Sequence, residues 1–485
     1  MGNFSDRGVK QSIDWKLVIS YLLLILIGWV NIYASVHSSE PSSIFDFSVR
    51  SGKQFVWILT AMGLALIILF AINPRFWESS ALPLYLFVLV LLVVVIFVSK
   101  DVKGSHSWFE FGPVKFQPAE ISKISTSLLL ATLMSQTNYR ITRLKDFLMT
   151  ALIIGVPMLV ILAESETGSA LVYVGFLFVM YREGFSGWWL FSIILAVALF
   201  ILTLTVSPYV SLLVLIGVII ATSIIIPGRI GVFGWINLGI LTLLCLLPWV
   251  FGKTVPEESF LAKVKPLYIL LGICLCVVAT MLVRGYRERK RYLSMGALGL
   301  IAGIALVFST EFIFNNILQD HQRKRIEVLL GMKEDPSGVG YNVNQSMIAI
   351  GSGGFSGKGF LNGTQTTFGF VPEQSTDFIF CTVGEEWGFL GCLVVIFLYV
   401  FMIWRIVIDA EKSRESFTRI YGYCVASCIF MHLFINIGMT IGLMPVIGIP
   451  LPLLSYGGSS LWAFTILIFI FIALYRQEKK YYSLN

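Results

Sequence analysis

Residues 82–99 read LPLYLFVLVLLVVVIFVS, a stretch that contains no charged side chain. As a helix rising about 1.5 Å per residue, such a run nearly matches the hydrocarbon core of a bilayer, about 30 Å thick. The whole chain shares this character, since 57% of its 485 residues are hydrophobic and only 13% are charged. Soluble domains carry about 25% charged residues, so this chain cannot cover a water-facing surface of ordinary polarity. The sequence therefore predicts an all-α polytopic membrane protein.

The chain contains fourteen apolar runs of this kind, which we interpret as transmembrane helices. The first run lacks a small-residue cleavage site and is long enough to remain as an anchor rather than a removed signal peptide. The predicted spans are 17–36, 54–73, 82–99, 118–136, 146–163, 168–182, 187–206, 209–226, 234–251, 267–284, 292–310, 377–404, 420–443 and 458–475.

Lys and Arg residues indicate the orientation, because cytoplasmic loops are enriched in them. With the amino terminus placed inside, the inner segments contain 21 such residues and the short outer segments contain 8. We therefore predict a multi-pass protein of the cytoplasmic membrane with both termini in the cytoplasm. The seven cysteines and four histidines follow neither a disulfide pattern nor a metal-ligand spacing.

The segment 311–376 is the one long polar stretch of the sequence, and this topology places it outside the cytoplasm. Long connections are usually functional. Within it, Asp335 directly precedes Pro336, and a residue before proline is held extended, so the carboxylate points off a turn. Asp335 is a candidate general base toward a hydroxyl, a role that contributes about 10²- to 10⁴-fold in rate. The alternative is an aspartate that only stabilises the turn.

Residues 351–359, GSGGFSGKG, superficially resemble a phosphate-binding loop. A nucleotide loop needs Gly five residues before its Gly-Lys pair and Ser or Thr after the Lys, where this chain has Ser352 and Gly359. We therefore reject a nucleotide site. Two interpretations stay open: backbone amides beside Lys358 that hold a pyrophosphate, or a flexible surface turn.

Glu120 and Lys123 lie one helical turn apart within the fourth predicted span. An intramembrane charge costs about 2.5–3.5 kcal/mol even on the most lenient scale, and an i, i+3 pair offsets part of that cost. The pair either anchors a catalytic loop or lines a wet cavity, or it is a structural ion pair between helices. Glu385 and Glu386 invite the same interpretation with less support.

Two further sites have ordinary interpretations. Glu164 and Glu166 fall at a short outer turn, where we expect solvated helix-end charges. Trp108 is either an interfacial anchor, the usual role of Trp at a membrane boundary, or a platform that stacks on a sugar ring.

Several long motifs, in order, resemble those of the shape, elongation, division and sporulation family that includes RodA, FtsW and SpoVE. Asn436 precedes the longest of them, and the GTQ element is more similar to RodA than to FtsW. The motifs are FQPAEISK at 116–123, DPSGVGY at 335–341, IAIGSGG at 348–354, GTQ at 363–365, FVPEQSTDFIF at 370–380 and PVIGIPLPLLSYGGSS at 445–460.

The resemblance implies a ten-span core that polymerises lipid II outside the cytoplasmic membrane, together with a class B penicillin-binding protein that supplies the transpeptidase. By motif, Asp335 corresponds to the family's loop aspartate, the proposed general base that deprotonates the acceptor hydroxyl, with inversion at the anomeric carbon. Whether a divalent cation assists the leaving group is left open. Substrate-binding candidates are Trp108, Lys115, Lys358 and Glu373, and activity-supporting candidates are Glu120, Lys123 and Ser455.

Three departures from the family pattern stand out. Ser107 occupies the position of an Arg that precedes the outer-loop Trp, and the element QPDLGT reads ESETGS at 164–169. Residues 187–285 hold four apolar runs absent from the ten-span core, an even number that preserves the topology downstream. We therefore divide the chain into a first core part, an inserted membrane segment and a second core part with the catalytic loop at 311–376. These parts cover 1–182, 183–290 and 291–485.

Two other classes of function fit a many-span protein. A flippase for lipid-linked cell-wall precursors would place its essential residues along a polar path through the bilayer. A non-catalytic scaffold would tolerate loss of every carboxylate that folding does not need. The resemblance favours the glycosyltransferase, acting in cell elongation and rod shape.

Overall fold

The structure of the chain, a computed structural model, describes residues 13–36, 43–99, 107–111, 114–225, 266–333 and 338–484, together with Gly239. Its regular structure is helical except for one two-stranded antiparallel hairpin, β1 (Phe109–Phe111) and β2 (Val114–Phe116). Thirteen of the fourteen predicted spans coincide with helices, and the run 234–251 lies outside the described residues apart from Gly239. Within the described ranges, ten helices are long and apolar enough to cross a membrane.

The helices are α1 (Trp15–Val36), α2 (Arg50–Phe70), α3 (Arg75–Val98), α4 (Pro118–Met134), α5 (Leu144–Ala163), α6 (Thr167–Val172), α7 (Phe176–Arg182), α8 (Gly187–Thr205), α9 (Pro208–Ile225), α10 (Pro266–Arg287), α11 (Arg291–Phe312), α12 (Asp320–Leu329), α13 (Val339–Ser352), α14 (Thr364–Thr367), α15 (Ile379–Lys412), α16 (Ser416–Thr440) and α17 (Gly458–Leu484). A 3-10 turn (Tyr173–Gly175) joins α6 to α7, and a π-helical turn (Ile313–Ile317) extends α11.

These helices form two compact units. The first consists of Met1–Phe185 and Glu334–Asn485, and the second of Ser186–Lys333. The second unit contains helices of the predicted insertion 183–290 and also α11 and α12. The described part of the segment 311–376 contains three helices, α12, α13 and α14.

The second unit has an apolar core of its own, made by α8, α9, α10 and α11. Its helices approach closely where glycine removes a side chain. A Cβ at Gly303 of α11 would lie 2.5 Å from the Leu215 side chain of α9, and one at Gly285 of α10 would lie 2.5 Å from Ser294 Oγ of α11. Small residues at helix crossings are the usual means of packing within a membrane, where lipid is as apolar as the side chains.

Helix α16 is the centre of the first unit. Its sequence carries His432 and Asn436 among apolar residues, and a polar side chain in a membrane must find a partner inside the protein. Accordingly α16 is buried along almost its whole length, in contact with α4, α15 and α17 among others. By contrast α3, which is apolar on every side, exposes large residues such as Phe97.

The first unit has two polar ends. At one end, Asp14 accepts a hydrogen bond from Arg405 Nε at 2.9 Å, and Glu478 accepts one from Ser413 Oγ. The beginning of α1 and the last turns of α17 therefore lie at the same end, which we call the terminal end. The opposite end carries the sequence motifs, and we call it the motif end.

Helix α15 is broken at Gly388, whose φ of 64° and ψ of −159° are not helical. The glycine-rich segment 353–359 packs against this break. Its amides bond to protein carbonyls: Lys358 N to Glu385 O at 3.0 Å and Gly359 N to Glu386 O at 3.0 Å, while Phe389 N bonds to Gly354 O at 2.9 Å. The amides of Lys358 and Gly359 are therefore occupied within the protein, and the segment is packed on the break at these residues. A pyrophosphate contact by this segment stays a prediction.

The glycines of this segment are needed for backbone contact. Gly357 has φ of +80°, and a Cβ there would lie 2.1 Å from Glu386 O. A Cβ at Gly353 would lie 1.9 Å from Gly384 O, whereas one at Gly351 would meet nothing within 4 Å.

We predict that Gly357→Ala destabilises the protein, because it combines a backbone clash with a strained φ that by itself costs about 1–3 kcal/mol. Thermal unfolding of the purified protein in detergent measures the effect, with Gly351→Ala as the matched control. Equal melting temperatures for the two variants would show that the segment is not packed on the helix break.

Candidate active site

The loop between α16 and α17, residues 441–457, contains most of the motif at 445–460, and we call it the signature loop. Hydrogen bonds join it to the loop that precedes α15. Ser455 Oγ accepts a hydrogen bond from Leu451 N at 2.8 Å and donates to Thr376 O at 2.5 Å. Tyr456 N donates to Ser375 O at 2.8 Å. Ser455, an activity-supporting candidate, is thus buried and holds two motifs of the sequence together.

Asn436 joins the same two loops from beneath. Its side-chain amide nitrogen donates to Asp377 O at 2.8 Å and to Ile449 O at 2.7 Å. An apolar residue there would leave two buried carbonyls without this donor, which is costly in a membrane interior.

Glu120 and Lys123 form a buried network that reaches the signature loop. Lys123 Nζ lies 2.9 Å from Glu120 Oε1 and 2.8 Å from His432 Nε2, and the His432 Nδ1 lies 3.1 Å from Pro450 O. A carbonyl only accepts, so Nδ1 carries the imidazole proton and Nε2 accepts from the lysine. The Lys123 ammonium also faces the Phe464 ring at 5.1 Å.

This network distinguishes between the interpretations of the Glu120–Lys123 pair. Lys123 is only 2% exposed, so in this structure it does not line a wet cavity. The pair instead connects α4, through His432 of α16, to Pro450 of the signature loop. Sequence reasoning missed His432. Its spacing of four residues from Asn436, on one face of an otherwise apolar helix, was the signal that could have found it.

Lys358 lies against Glu385. Lys358 Nζ is 2.7 Å from Glu385 Oε1 and 2.8 Å from Thr364 Oγ1. The Glu385 carboxylate also accepts from the amides of Gln365 at 2.9 Å and Thr366 at 2.8 Å. The lysine side chain is 27% exposed and the glutamate fully buried, so the ammonium borders solvent with its charge already balanced.

The remaining substrate-binding candidates lie in two places. Lys115 of β2 pairs with Glu110 of β1 at 2.8 Å, and Trp108 just before β1 is half-buried. Glu373 is exposed, has a positive φ of 52° and accepts a hydrogen bond at its carbonyl from the Thr376 hydroxyl at 3.2 Å. Within the described residues, no three His, Cys, Asp or Glu side chains come together as metal ligands.

Two departures from the family pattern contact each other. Ser107 Oγ donates to Glu166 Oε1 at 2.7 Å. The serine that replaces the family's Arg thus contacts a glutamate of the altered ESETGS element. Glu164 was expected to be solvated, and this expectation is wrong because its side chain is fully buried beside the turn. Burial, together with the negative charge of Glu166, raises the pKa of Glu164 to about 8.

Asp335 lies outside the described residues, in the gap 334–337 between Lys333 and Gly338. The chain resumes at α13, which is fixed to the core of the first unit. Ser346 Oγ donates to Thr440 O at the end of α16 at 2.6 Å. Val339, the first residue of α13, follows Asp335 by four positions in the sequence.

We predict that Lys123→Met lowers the free energy of unfolding by about 3–5 kcal/mol, because it leaves the Glu120 charge buried without its partner. The double variant Glu120→Gln/Lys123→Met should recover part of this loss. Thermal unfolding measures both, with the exposed Lys145→Met as control. A single variant as stable as that control would rule out the buried network.

A second prediction concerns pH. The folded-state pKa of Glu164 lies above its unfolded value of about 4.3, so the stability this group contributes is full below about pH 4 and is lost as pH rises toward 8. Glu164→Gln removes that titration, and we expect its melting temperature to fall less than the wild type's between about pH 5 and 9. Asp320→Asn, at an exposed position, is the control. Parallel pH profiles for Glu164→Gln and the wild type would contradict the prediction.

The family model for FtsW, RodA and SpoVE, described as cell cycle proteins, matches residues 14–215 and 209–480. The peptidoglycan glycosyltransferase RodA of Treponema pallidum is 31% identical over 460 residues, covering 94% of this chain and 95% of the relative. The peptidoglycan glycosyltransferase MrdB of Escherichia coli K12 is 29% identical over 403 residues, covering 83% of this chain and 79% of the relative.

Solved structures show the same fold. A chain of a peptidoglycan synthase complex, described for its coordination of polymerization and crosslinking, aligns with a TM-score of 0.62 at 22% identity. That alignment covers 96% of this chain and 98% of the other. The rod shape determining protein RodA of Thermus thermophilus aligns with a TM-score of 0.51 at 19% identity, covering 96% and 97%. With a family model that spans nearly the whole chain, this protein belongs to the FtsW, RodA and SpoVE family.

Proposed function

We propose that this chain is a peptidoglycan glycosyltransferase that polymerises lipid II into glycan strands at the outer face of the cytoplasmic membrane, in cell elongation. The observation that carries the proposal is the similarity to RodA of Treponema pallidum over 94% of the chain. The geometry supports it, because the motifs that are far apart in sequence meet at one end of the first unit.

The proposed reaction needs one base and one leaving group. An acceptor sugar hydroxyl oxygen attacks the anomeric carbon of the lipid-linked sugar, and Asp335 takes the hydroxyl proton. The bond from the anomeric carbon to the pyrophosphate oxygen breaks, and its electron pair leaves with the polyprenyl pyrophosphate. Attack opposite the leaving group inverts the anomeric carbon.

The other site residues take supporting parts. Trp108, Lys115 and Glu373 are proposed to contact substrate. Lys358 is proposed to donate a hydrogen bond to the substrate from its partly exposed ammonium group. Its charge is already balanced by Glu385, so this contact adds little long-range attraction.

Three buried residues are proposed to hold the loops that carry the motifs. Glu120 and Lys123 act through His432 on the signature loop, and Ser455 links that loop to the one before α15.

We place the motif end outside the cytoplasm and the terminal end inside. The excess of Lys and Arg in the inner segments supports this orientation. The contacts of Asp14 and Glu478 at the same end agree with termini on one side of the membrane.

A class B penicillin-binding protein is the proposed partner. The structural relative from a peptidoglycan synthase complex supports this, since that complex coordinates polymerization with crosslinking. A polymerase that lengthens strands next to a transpeptidase would deliver its product directly to the crosslinking site.

The test is polymer formation from labelled lipid II by the purified protein with its partner. We expect glycan strands from the wild type and a loss of at least about 100-fold in rate for Asp335→Asn, in keeping with the loss of a general base. Asp320→Asn is the matched control, because Asp320 lies in the same outer segment and its side chain is 98% exposed.

Each outcome has a defined meaning. Equal rates for Asp335→Asn and Asp320→Asn would remove Asp335 as the base. No polymer from any form in the presence of an activating partner would reject the polymerase and favour a flippase for the same lipid.

A further inference from the structure

The proposed substrate carries a pyrophosphate, so a cation is needed that another part of the protein has not already neutralised. Two predicted cations do not meet this requirement. Lys115 and Lys358 each lie within 2.8 Å of a carboxylate oxygen, from Glu110 and Glu385. The carboxylates of Glu110 and Glu385 largely neutralise the positive charges of these two lysines.

Arg50 is different. It is the first residue of α2, is exposed at the motif end, and has no carboxylate within ion-pair distance in the described part of the chain. Its Nη1 donates to Ser375 Oγ at 2.5 Å, and its guanidinium carbon lies 5.8 Å from the centre of the Tyr456 ring. The two residues it contacts belong to two different motifs.

The position of Arg50 is fixed by its surroundings. Gln54, one turn further along α2, accepts a hydrogen bond from Gly457 N at 3.3 Å, so α2 is joined to the signature loop at two levels. Trp29 Nε1 donates to Ser51 O at 2.9 Å, which holds the first turn of α2 against α1.

The chemistry of a guanidinium suits the binding of a pyrophosphate. It has five N–H donors in a planar fork, and only one is directed at Ser375. The guanidinium carbon lies over the Tyr456 ring, and the remaining donors are available to oxygen atoms of a phosphate. Such a fork binds two oxygens at once, which a lysine ammonium does not reproduce.

We propose that Arg50 is a substrate-binding residue that holds the pyrophosphate of the lipid-linked sugar. The inference rests on the proposed function for the identity of the ligand. It assigns the anion contact to a residue outside the family motifs quoted above, in place of the lysines of those motifs. Ser375 and Tyr456 position the guanidinium between the loop before α15 and the signature loop.

The test measures binding separately from catalysis. Undecaprenyl diphosphate is titrated against the full-length protein in nanodiscs, with undecaprenyl monophosphate as the second ligand. All variants carry Asp335→Asn, so that binding is read without turnover. We expect Arg50→Gln to weaken diphosphate binding about 10- to 100-fold, as expected for the loss of charge-assisted hydrogen bonds, and Arg50→Lys to weaken it less.

Two controls separate a lost ligand contact from a loosened structure. Lys53→Gln removes an exposed cation one turn away on α2 and should leave binding unchanged. Ser375→Ala removes the hydrogen bond that holds Arg50 while keeping the charge, and should weaken binding less than about threefold. The loss in Arg50→Gln should also be larger for the diphosphate than for the monophosphate.

The proposal on Arg50 fails if Arg50→Gln binds the diphosphate as tightly as the parent protein, whether or not the wild type makes polymer. It also fails if Ser375→Ala weakens binding as much as Arg50→Gln, because Arg50 would then be only a structural link. If the wild type binds the diphosphate through Arg50 but makes no polymer, the proposed function fails while the binding site stands.

Discussion

The rest of the motif end depends on one constraint: a lysine charge is buried among helices that cross a membrane. Lys123 satisfies this constraint by bonding to Glu120 on its own helix and to His432 on α16. Since His432 must then use its other nitrogen, it donates to Pro450 and fixes the signature loop. The Lys123 charge thereby joins α4 to the central helix α16 and, through His432, fixes the position of the signature loop. Removing one member leaves another polar group buried and unpaired, the costliest change such a core can suffer.

Beyond the Lys123 network, further hydrogen bonds to backbone groups connect the two loops at the motif end. Asn436, one turn beyond His432, bonds to carbonyls of both outer loops, and Ser455 and Tyr456 connect the same loops closer to the surface. Most of these contacts join a side chain to a backbone group, so they specify the path of the chain more than its composition. Helix α13 is anchored in the same way, because Ser346 bonds to a backbone carbonyl at the end of α16.

The sequence predicted the helices well because crossing a bilayer requires long apolar runs, and length and composition are visible in one chain. It also indicated that Glu120 and Lys123 belong together, since they are one turn apart. It did not indicate His432 or Arg50, because Lys123 and Ser375, which they contact, are more than 300 residues away in sequence and only packing brings each pair together. The packing of the glycine-rich segment on α15 was not predicted for the same reason. Its glycines serve contact with the break at Gly388, a feature that no local pattern announces.

The placement of charge in the first unit bears on what the protein does with its substrate. In the described membrane-crossing helices of this unit, every Asp, Glu, Lys and Arg lies within about three turns of a helix end. Two of the deeper ones, Lys123 and Glu385, are each paired with an opposite charge. A protein that moves a charged pyrophosphate through the bilayer needs polar groups along the way, because an unpaired charge in hydrocarbon is expensive. These helices offer polar groups at their ends and apolar surface between them, an arrangement suited to a lipid whose head group stays on one side while its sugar reacts.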